Sequence, residues 1–376
     1  MPTSFTRAIA SLRVTRACLL FSLAALLLSA CAHAGGPVES TGYKVLPPIV
    51  RGNLAFFPVV AGHANDTSQL LTLDEGIRGG QVTVTEAGDE RGLVRPGQYV
   101  APRRGAQVNN LVLTNNSSRP LLLLAGEIVT GGKQDRVIGA DRIVPPDSGP
   151  IDLGVFCVEP GRWVASSMNF GSMGAQMAQP SVRTPAMAER NQVQVWDSVR
   201  AANSKIATNL PQAGPPDLGG SLVAHPAAIP STTSYAKVFQ SAPVEKAVSQ
   251  YGGMAGEHEI LRELRERGAV GVVVAINGQV VWADAFASTD LLARYWPKLM
   301  HSYVAEAITS GNQGGSADLR AAEEFISNLE GGREVVETEP GIFRRADVTG
   351  DGYRVFELTS LVSKPPFLVH LAKMPQ

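Results

Sequence analysis

The stretch that most restricts how this chain can fold is Val270-Gly271-Val272-Val273-Val274-Ala275-Ile276, then Asn277-Gly278, then Gln279-Val280-Val281-Trp282-Ala283-Asp284. β-Branched side chains are stiff at χ1 and pack well on a pleated surface. Asn-Gly between two such runs predicts a tight hairpin, because both turn positions need positive φ. Helical patterns flank it. One is expected near 234–250, and a charged one from Glu257 to Arg267 buries Ile260, Leu261 and Leu264. Ser288 stands where a cap is needed for a helix through Leu291, Leu292, Tyr295, Leu299 and Tyr303, with Pro297 kinking or restarting it. A helix at about 317–329 and three short strands over 333–372 complete this half, Gly350-Asp351-Gly352 forming a turn.

The first half reads as β-structure. Val82-Thr83-Val84-Thr85 and Asn110-Leu111-Val112-Leu113-Thr114 alternate with period two, and Asn115-Asn116-Ser117-Ser118-Arg119-Pro120 supplies turn chemistry. Leu121-Leu122-Leu123-Leu124-Ala125 is apolar on both faces, as a central strand is. Further strands are expected at 127–130, 134–138, 142–144 and 150–158, and a helix from Met187 to about Ala207. The fold class is therefore α+β: an N-terminal, mostly antiparallel β-sandwich or barrel-like part packed with a C-terminal helix–hairpin–helix part. Residues 51–310 form the main domain, with loops at 165–183 and 208–233. Residues 311–376 form a C-terminal addition packed on it.

Ahead of these lies an export signal, residues 1–31. Arg7, Arg13 and Arg16 precede the apolar run Leu19–Leu28, and no acidic residue occurs in this segment. The run is too short for a transmembrane helix, which needs about 20 apolar residues. Leu28-Ser29-Ala30-Cys31 resembles a bacterial lipobox, in which the cysteine is acylated and becomes the mature N-terminus. Ala32 in the next position points to the outer membrane of a two-membrane bacterium. A competing cleavage pattern, Ala32-His33-Ala34 before Gly35, implies a soluble secreted or periplasmic protein instead. Residues 32–50, rich in Gly, Pro and small polar residues, read as a tether.

The formal net charge is −1, and losing the three signal arginines leaves 30 basic against 34 acidic residues, near −4. No nucleic-acid partner is expected from such a balance. With Cys18 in the signal and Cys31 at the lipobox, Cys157 remains alone in an apolar run, where a thiol is buried and inert. Met168, Met173 and Met177 have no interleaved histidine and read as loop residues, and Glu257-His258-Glu259 as a solvated helix face. No metal site is expected, and no cofactor is indicated.

Chemistry concentrates at 126–162, where polar residues interrupt apolar strands: Gly126-Glu127, Thr130-Gly131-Gly132-Lys133-Gln134-Asp135-Arg136 and Glu159-Pro160-Gly161-Arg162-Trp163. Gly131 and Gly132 allow close backbone approach to a ligand. Lys133, Arg136 and Arg162, with Gln134, can hold an anionic small molecule. Glu127, Asp135 and Glu159 can act as acid and base, and Trp163 offers a stacking surface. The same residues equally describe a solvated hairpin turn whose Glu127, Arg136, Glu159 and Arg162 form structural ion pairs.

The run Pro120-Leu-Leu-Leu-Leu-Ala-Gly-Glu-Ile-Val-Thr-Gly-Gly-Lys-Gln-Asp-Arg136, Val144-Pro-Pro146 and Cys157-Val-Glu-Pro-Gly-Arg-Trp163 resemble the ARG- and rhodanese-phosphatase-superfamily-associated domain family. Leu73-Asp-Glu-Gly76, Val82-Thr-Val-Thr-Glu86 and Arg294-Tyr-Trp-Pro-Lys-Leu299 are similar to it too, so the resemblance spans roughly 50–310. It implies, by association with ADP-ribosylglycohydrolase and phosphatase-type proteins, a nucleotide- or ADP-ribose-like ligand, and no defined reaction. Three functions follow as expectations. The first is an envelope protein, attached to the membrane by lipid on Cys31, that binds an anionic ligand. The second is a hydrolase using carboxylates of 126–162. The third is a structural or interaction lipoprotein.

Overall fold

The computed structural model describes residues 42–89, 105–172, 176–210, 230–252, 257–328 and 332–376. The export signal with Cys31, the tether before residue 42 and residues 211–229 of the proline-rich loop lie outside the described residues.

The chain begins with β1 (Lys44–Val45), β2 (Ile49–Arg51), β3 (Leu54–Val60), β4 (Leu71–Thr72), helix α1 (Leu73–Arg78) and β5 (Val82–Glu86). There follow β6 (Asn110–Asn115), β7 (Leu121–Leu123), β8 (Ile128–Val129), β9 (Arg136–Ile138), β10 (Arg142–Val144) and β11 (Ser148–Cys157). A helical stretch then contains α2 (Pro180–Thr184), a π-turn over Pro185–Glu189, α3 (Gln192–Asn209), α4 (Tyr235–Phe239), α5 (Ala242–Gly252) and α6 (Glu257–Glu266). The last third holds β12 (Gly271–Ile276), β13 (Gln279–Phe286), α7 (Thr289–Ser310), α8 (Leu319–Ser327), β14 (Arg333–Glu339), β15 (Phe343–Gly350), β16 (Tyr353–Ser360) and β17 (Phe367–Pro375). The fold is α+β.

The predicted hairpin is the centre of the largest sheet. Asn277 and Gly278 both hold positive φ, 51° and 80°, and Ile276 pairs with Gln279 across the turn. β12 passes its other edge to β3, and β13 passes its own to β17, giving the order β1-β3-β12-β13-β17-β16-β15-β14, with β2 also on β3. Two sequence-based boundaries therefore dissolve. Residues 44–50, read as tether, contribute β1 and most of β2. Residues 311–376, read as an addition, supply four strands where three were expected, and β17 pairs directly with β13. Both pairings join residues far apart in the chain, which local pattern does not encode.

A five-stranded sheet, β5-β6-β11-β9-β8, and a three-stranded sheet, β10-β7-β4, form the rest, antiparallel except where β4 runs parallel to β7. Alternation along β7 explains its unbroken apolar run. Leu121 and Leu123 enter the core of the small sheets with Val84, Leu113 and Phe170, whereas Leu122 and Leu124 enter the main core with Phe56, Trp282 and Trp296. The strand divides two cores, so each face must be apolar. On the large sheet, Trp282 and Phe286 face α7 while Ala283 and Ala285 face Ala322 and Ile326 of α8. Ser288 caps α7 by accepting from Leu291 N at 3.0 Å, and the helix passes through Pro297 without ending.

Candidate functional site

The charged motif falls on the β8–β9 hairpin, whose strands pair Ile128 with Val137 and Val129 with Arg136. Its loop, Thr130–Asp135, is held by polar side chains. Asp135 Oδ1 accepts from Gly131 N at 3.1 Å, and Ser234 Oγ donates to Asp135 Oδ2 at 2.8 Å. Glu159 Oε2 accepts from Asp135 N at 3.2 Å and from Arg162 Nη2 at 2.5 Å. That Arg162 nitrogen also lies 3.4 Å from Asp135 Oδ1, while Nη1 donates to the carbonyls of Gly132 and Val164. Asp135, Glu159 and Arg162 thus form one cluster.

The two carboxyl groups are moved apart. Burial, and then the Glu159 charge, raises Asp135 above the usual aspartate range. Burial pushes Glu159 up as well, but the hydrogen bonds from Arg162 and Asp135 N together with the Arg162 and Lys237 charges outweigh it, and the net effect is downward. A cleft of about 340 Å³ opens over the cluster, lined by Thr130, Asp135, Arg162, Ser167, Asn169 and Lys237 among others. Trp163 and Val164, on the same loop, are exposed, as is Met168.

The remaining motif residues do different work. Gly132 has φ +48°, and a Cβ there would lie 2.2 Å from the Phe170 ring, so its lack of a side chain serves packing rather than ligand approach. Gly131 does line the cleft, and a Cβ on it would meet Ser167 Oγ at 2.5 Å. Lys133 sets its ammonium 5.1 Å from the Trp163 ring centroid. Gln134 Nε2 donates to the Glu159 carbonyl at 3.2 Å. Arg136, read as an anion grip, is wholly buried. Its Nε donates to Val108 O at 2.8 Å and its Nη1 to Gln134 O at 2.7 Å, with Glu86 3.8 Å from Nη2. Backbone carbonyls take Nε and Nη1, and the buried Nη2 makes no hydrogen bond, so Arg136 is out of reach of a ligand in the cleft. Cys157 is buried, and burial pushes its thiol up, away from the reactive thiolate.

Glu127 leaves the cluster altogether. It is buried beside α7, where Lys298 Nζ donates to Glu127 Oε1 at 2.6 Å and to Asp74, and Leu124 N donates to Glu127 Oε2 at 2.7 Å. Burial, with the Asp74 charge adding to it, raises Glu127.

A second buried network was not anticipated. Arg183 donates from Nη1 and Nη2 to both Asp284 oxygens, at 2.9 and 3.1 Å, and Tyr303 OH donates to the same carboxylate. His370 bridges Asp141, 2.6 Å from Nδ1, and Asp284, 3.2 Å from Nε2. Trp282 covers the Arg183 guanidinium at 4.4 Å, and Gly126 makes room for it, since a Cβ there would lie 2.7 Å from Arg183 Nε. Burial alone would lower His370, but Asp141 outweighs it and raises the imidazole to about 9. Burial would raise Asp284, and Arg183 and His370 hold it far below the usual range instead. Its signal was visible: Asp284 and His370 each interrupt an apolar strand, at Trp282-Ala283-Asp284-Ala285-Phe286 and Leu368-Val369-His370-Leu371. Arg183, in a segment read as loop, carried no such signal.

Among the described residues no group of three or more His, Cys, Asp or Glu side chains is placed to hold a metal ion, and no helix is long and apolar enough to cross a membrane. Residues 42–372 match the family model described as ARG and Rhodanese-Phosphatase-superfamily-associated Protein domain, a wider span than the motifs alone carried. No curated protein and no solved structure matches the chain.

Proposed function

The chain belongs to the ARG and Rhodanese-Phosphatase-superfamily-associated Protein domain family, and from that premise we propose an exported protein, lipid-anchored in the cell envelope through Cys31, that binds a small uncharged, hydroxyl-rich molecule in the Asp135 cleft. Membership sets no reaction, so the reading draws on the site. The observation that carries it is the internal neutralisation of the cleft. Arg162 is engaged by Asp135 and Glu159, and Lys237 Nζ lies 3.7 Å from Glu159 Oε1. Arg162 is taken up by the two carboxylates, while the exposed Lys237, only 3.7 Å from Glu159, stays within reach of a ligand hydroxyl. What remains at the cleft are the polar side chains of Thr130, Ser166, Ser167 and Asn169, with the exposed Trp163 ring on the same loop. Hydroxyl and amide groups that fix orientation, near an aromatic surface, suit a sugar-like ligand.

A thermal-shift panel of neutral sugars and polyols against sugar phosphates tests this. Ligand at 100 times its Kd should stabilise by about 2.7 kcal/mol, and Lys237→Ala or Asn169→Ala should weaken that shift without lowering the unliganded midpoint. Stabilisation by the phosphates alone would overturn the reading. Anchoring has its own experiment, fatty-acid labelling of wild type beside Cys31→Ser. An unlabelled wild type released into the medium supports the secreted alternative.

One observation favours a hydrolytic reading: Asp135 is displaced upward and Glu159 downward, the division expected of an acid and a base. Turnover of the bound ligand followed by NMR, and lost in Asp135→Asn, supports it; an intact ligand after prolonged incubation rejects it.

A further inference from the structure

On another face of the domain a cleft of about 290 Å³ runs between β10–β11 and the β14–β15 end of the large sheet. Its floor is apolar: Gly139, Ala140, Leu153, Gly154, Val155 and Phe156. Gly154 leaves open space there, since a Cβ on it would meet no atom within 4 Å. Its walls carry Arg142, Arg190 and Arg345.

Three guanidinium groups around an apolar floor repel one another at low local dielectric. Two carboxylates answer them. Arg142 Nη2 lies 3.1 Å from Glu339 Oε2, and Arg345 pairs with Glu337. Arg345 Nη1 is fixed on the Asp141 carbonyl at 3.0 Å. Arg142 Nε is buried without a hydrogen-bond partner. Arg190 ends the π-turn in the left-handed conformation, φ 48° and ψ 40°, and its exposed side chain makes no hydrogen bond or ion pair among the described residues. The Arg190 charge, with its fork of donors, is therefore left over beside the space that Gly154 leaves open, in a cleft that Asn109 and Glu337 also line.

We infer that this arginine cleft is a second binding site, for a small organic oxyanion, a phosphate or carboxylate carried on a flat apolar ring. The oxyanion takes the exposed Arg190 fork, since a guanidinium matches both anions in bidentate fashion, while Arg142, held by the Asp152 carbonyl and Glu339, adds its charge from the wall. The ring lies over Gly154, the one floor glycine with open space above it.

The test is calorimetric titration of the full chain with phenyl phosphate, benzoate, inorganic phosphate and the neutral benzyl alcohol. Phenyl phosphate or benzoate should bind, whichever oxyanion is the better match, and benzyl alcohol should not. Arg190→Ala should weaken binding at least tenfold with the thermal midpoint of the unliganded protein unchanged, because that side chain holds nothing in the fold. Gly154→Leu, which fills the floor, should weaken the ring compounds more than inorganic phosphate. Lys237→Ala, in the other cleft, should leave every affinity as it was. Equal affinity in wild type and Arg190→Ala, equal binding of benzyl alcohol, or no heat from any anion at millimolar concentration overturns the inference.

Discussion

Two regions of this molecule use the same parts to different ends. Around Asp284, two carboxylates, an imidazole and a guanidinium are sealed in the core with every charged residue at 3% exposure or less. Around Asp135, two carboxylates share Arg162 beneath a 340 Å³ cleft. In the sealed network Arg183, Asp284 and His370 each have their pKa moved in the direction that keeps the group ionised. In the open one they split a carboxyl pair, and solvent reaches the arginine. The contrast teaches that charge among apolar strands does not by itself mark a site; access does.

The largest test of that contrast is Arg183→Ala. It strands the Asp284 charge in the core and should cost roughly 3–5 kcal/mol in urea unfolding. Arg162→Ala should cost about 1 kcal/mol, its side chain being 21% exposed. Equal losses would erase the distinction.

Next is pH. His370 is raised to about 9 from an ordinary 6.5, so the folded state binds its proton more tightly. Its contribution, roughly 3 kcal/mol at 1.36 kcal/mol per unit, is fully present below pH 6.5 and lost as pH rises through 9. Lys373, buried and pushed down to about 8 from 10.5, acts in the opposite sense, gaining stability from pH 8 upward. Denaturation curves from pH 6 to 9.5 in a Lys373→Met background isolate the first effect, and a flat profile there would count against a charged His370.

Gly132→Ala comes third. The added methyl meets the Phe170 ring at 2.2 Å and should cost about 1–3 kcal/mol by overpacking. A neutral result means the hairpin loop adapts more readily than its contacts show. The smallest effect belongs to Lys237→Ala, whose side chain is 59% exposed. Stability should stay within about 0.5 kcal/mol, leaving ligand affinity as its readout.

Much of the local structure was legible. The Asn277-Gly278 turn, the Ser288 cap and the β6–β11 strands follow from turn chemistry and period-two alternation. So did the grouping of Asp135, Glu159 and Arg162, which lie close in sequence on neighbouring hairpins. Glu127 was drawn to the same group by proximity, yet its strand neighbours alternate between the two cores, and it turns to Lys298, 171 residues away. Arg136 read as a ligand grip because it stands in the polar motif and a guanidinium suits an anion in bidentate fashion. The carbonyls that satisfy it belong partly to Val108, which the motif does not contain.

By itself, then, the sequence determined the α+β class, the Asn277-Gly278 hairpin and the longer helices, but not the short helices at Leu73–Arg78 and Pro180–Thr184, because backbone preference and hydrophobic period act over a few residues. Tertiary structure alone decided that β17 completes the sheet begun at β3, that Arg183 meets Asp284 across 101 residues, and which charged groups face a cleft. Those outcomes depend on burial and on partners distant in the chain. A charge is costly or useful only once its surroundings exclude or admit water, and no local pattern states which.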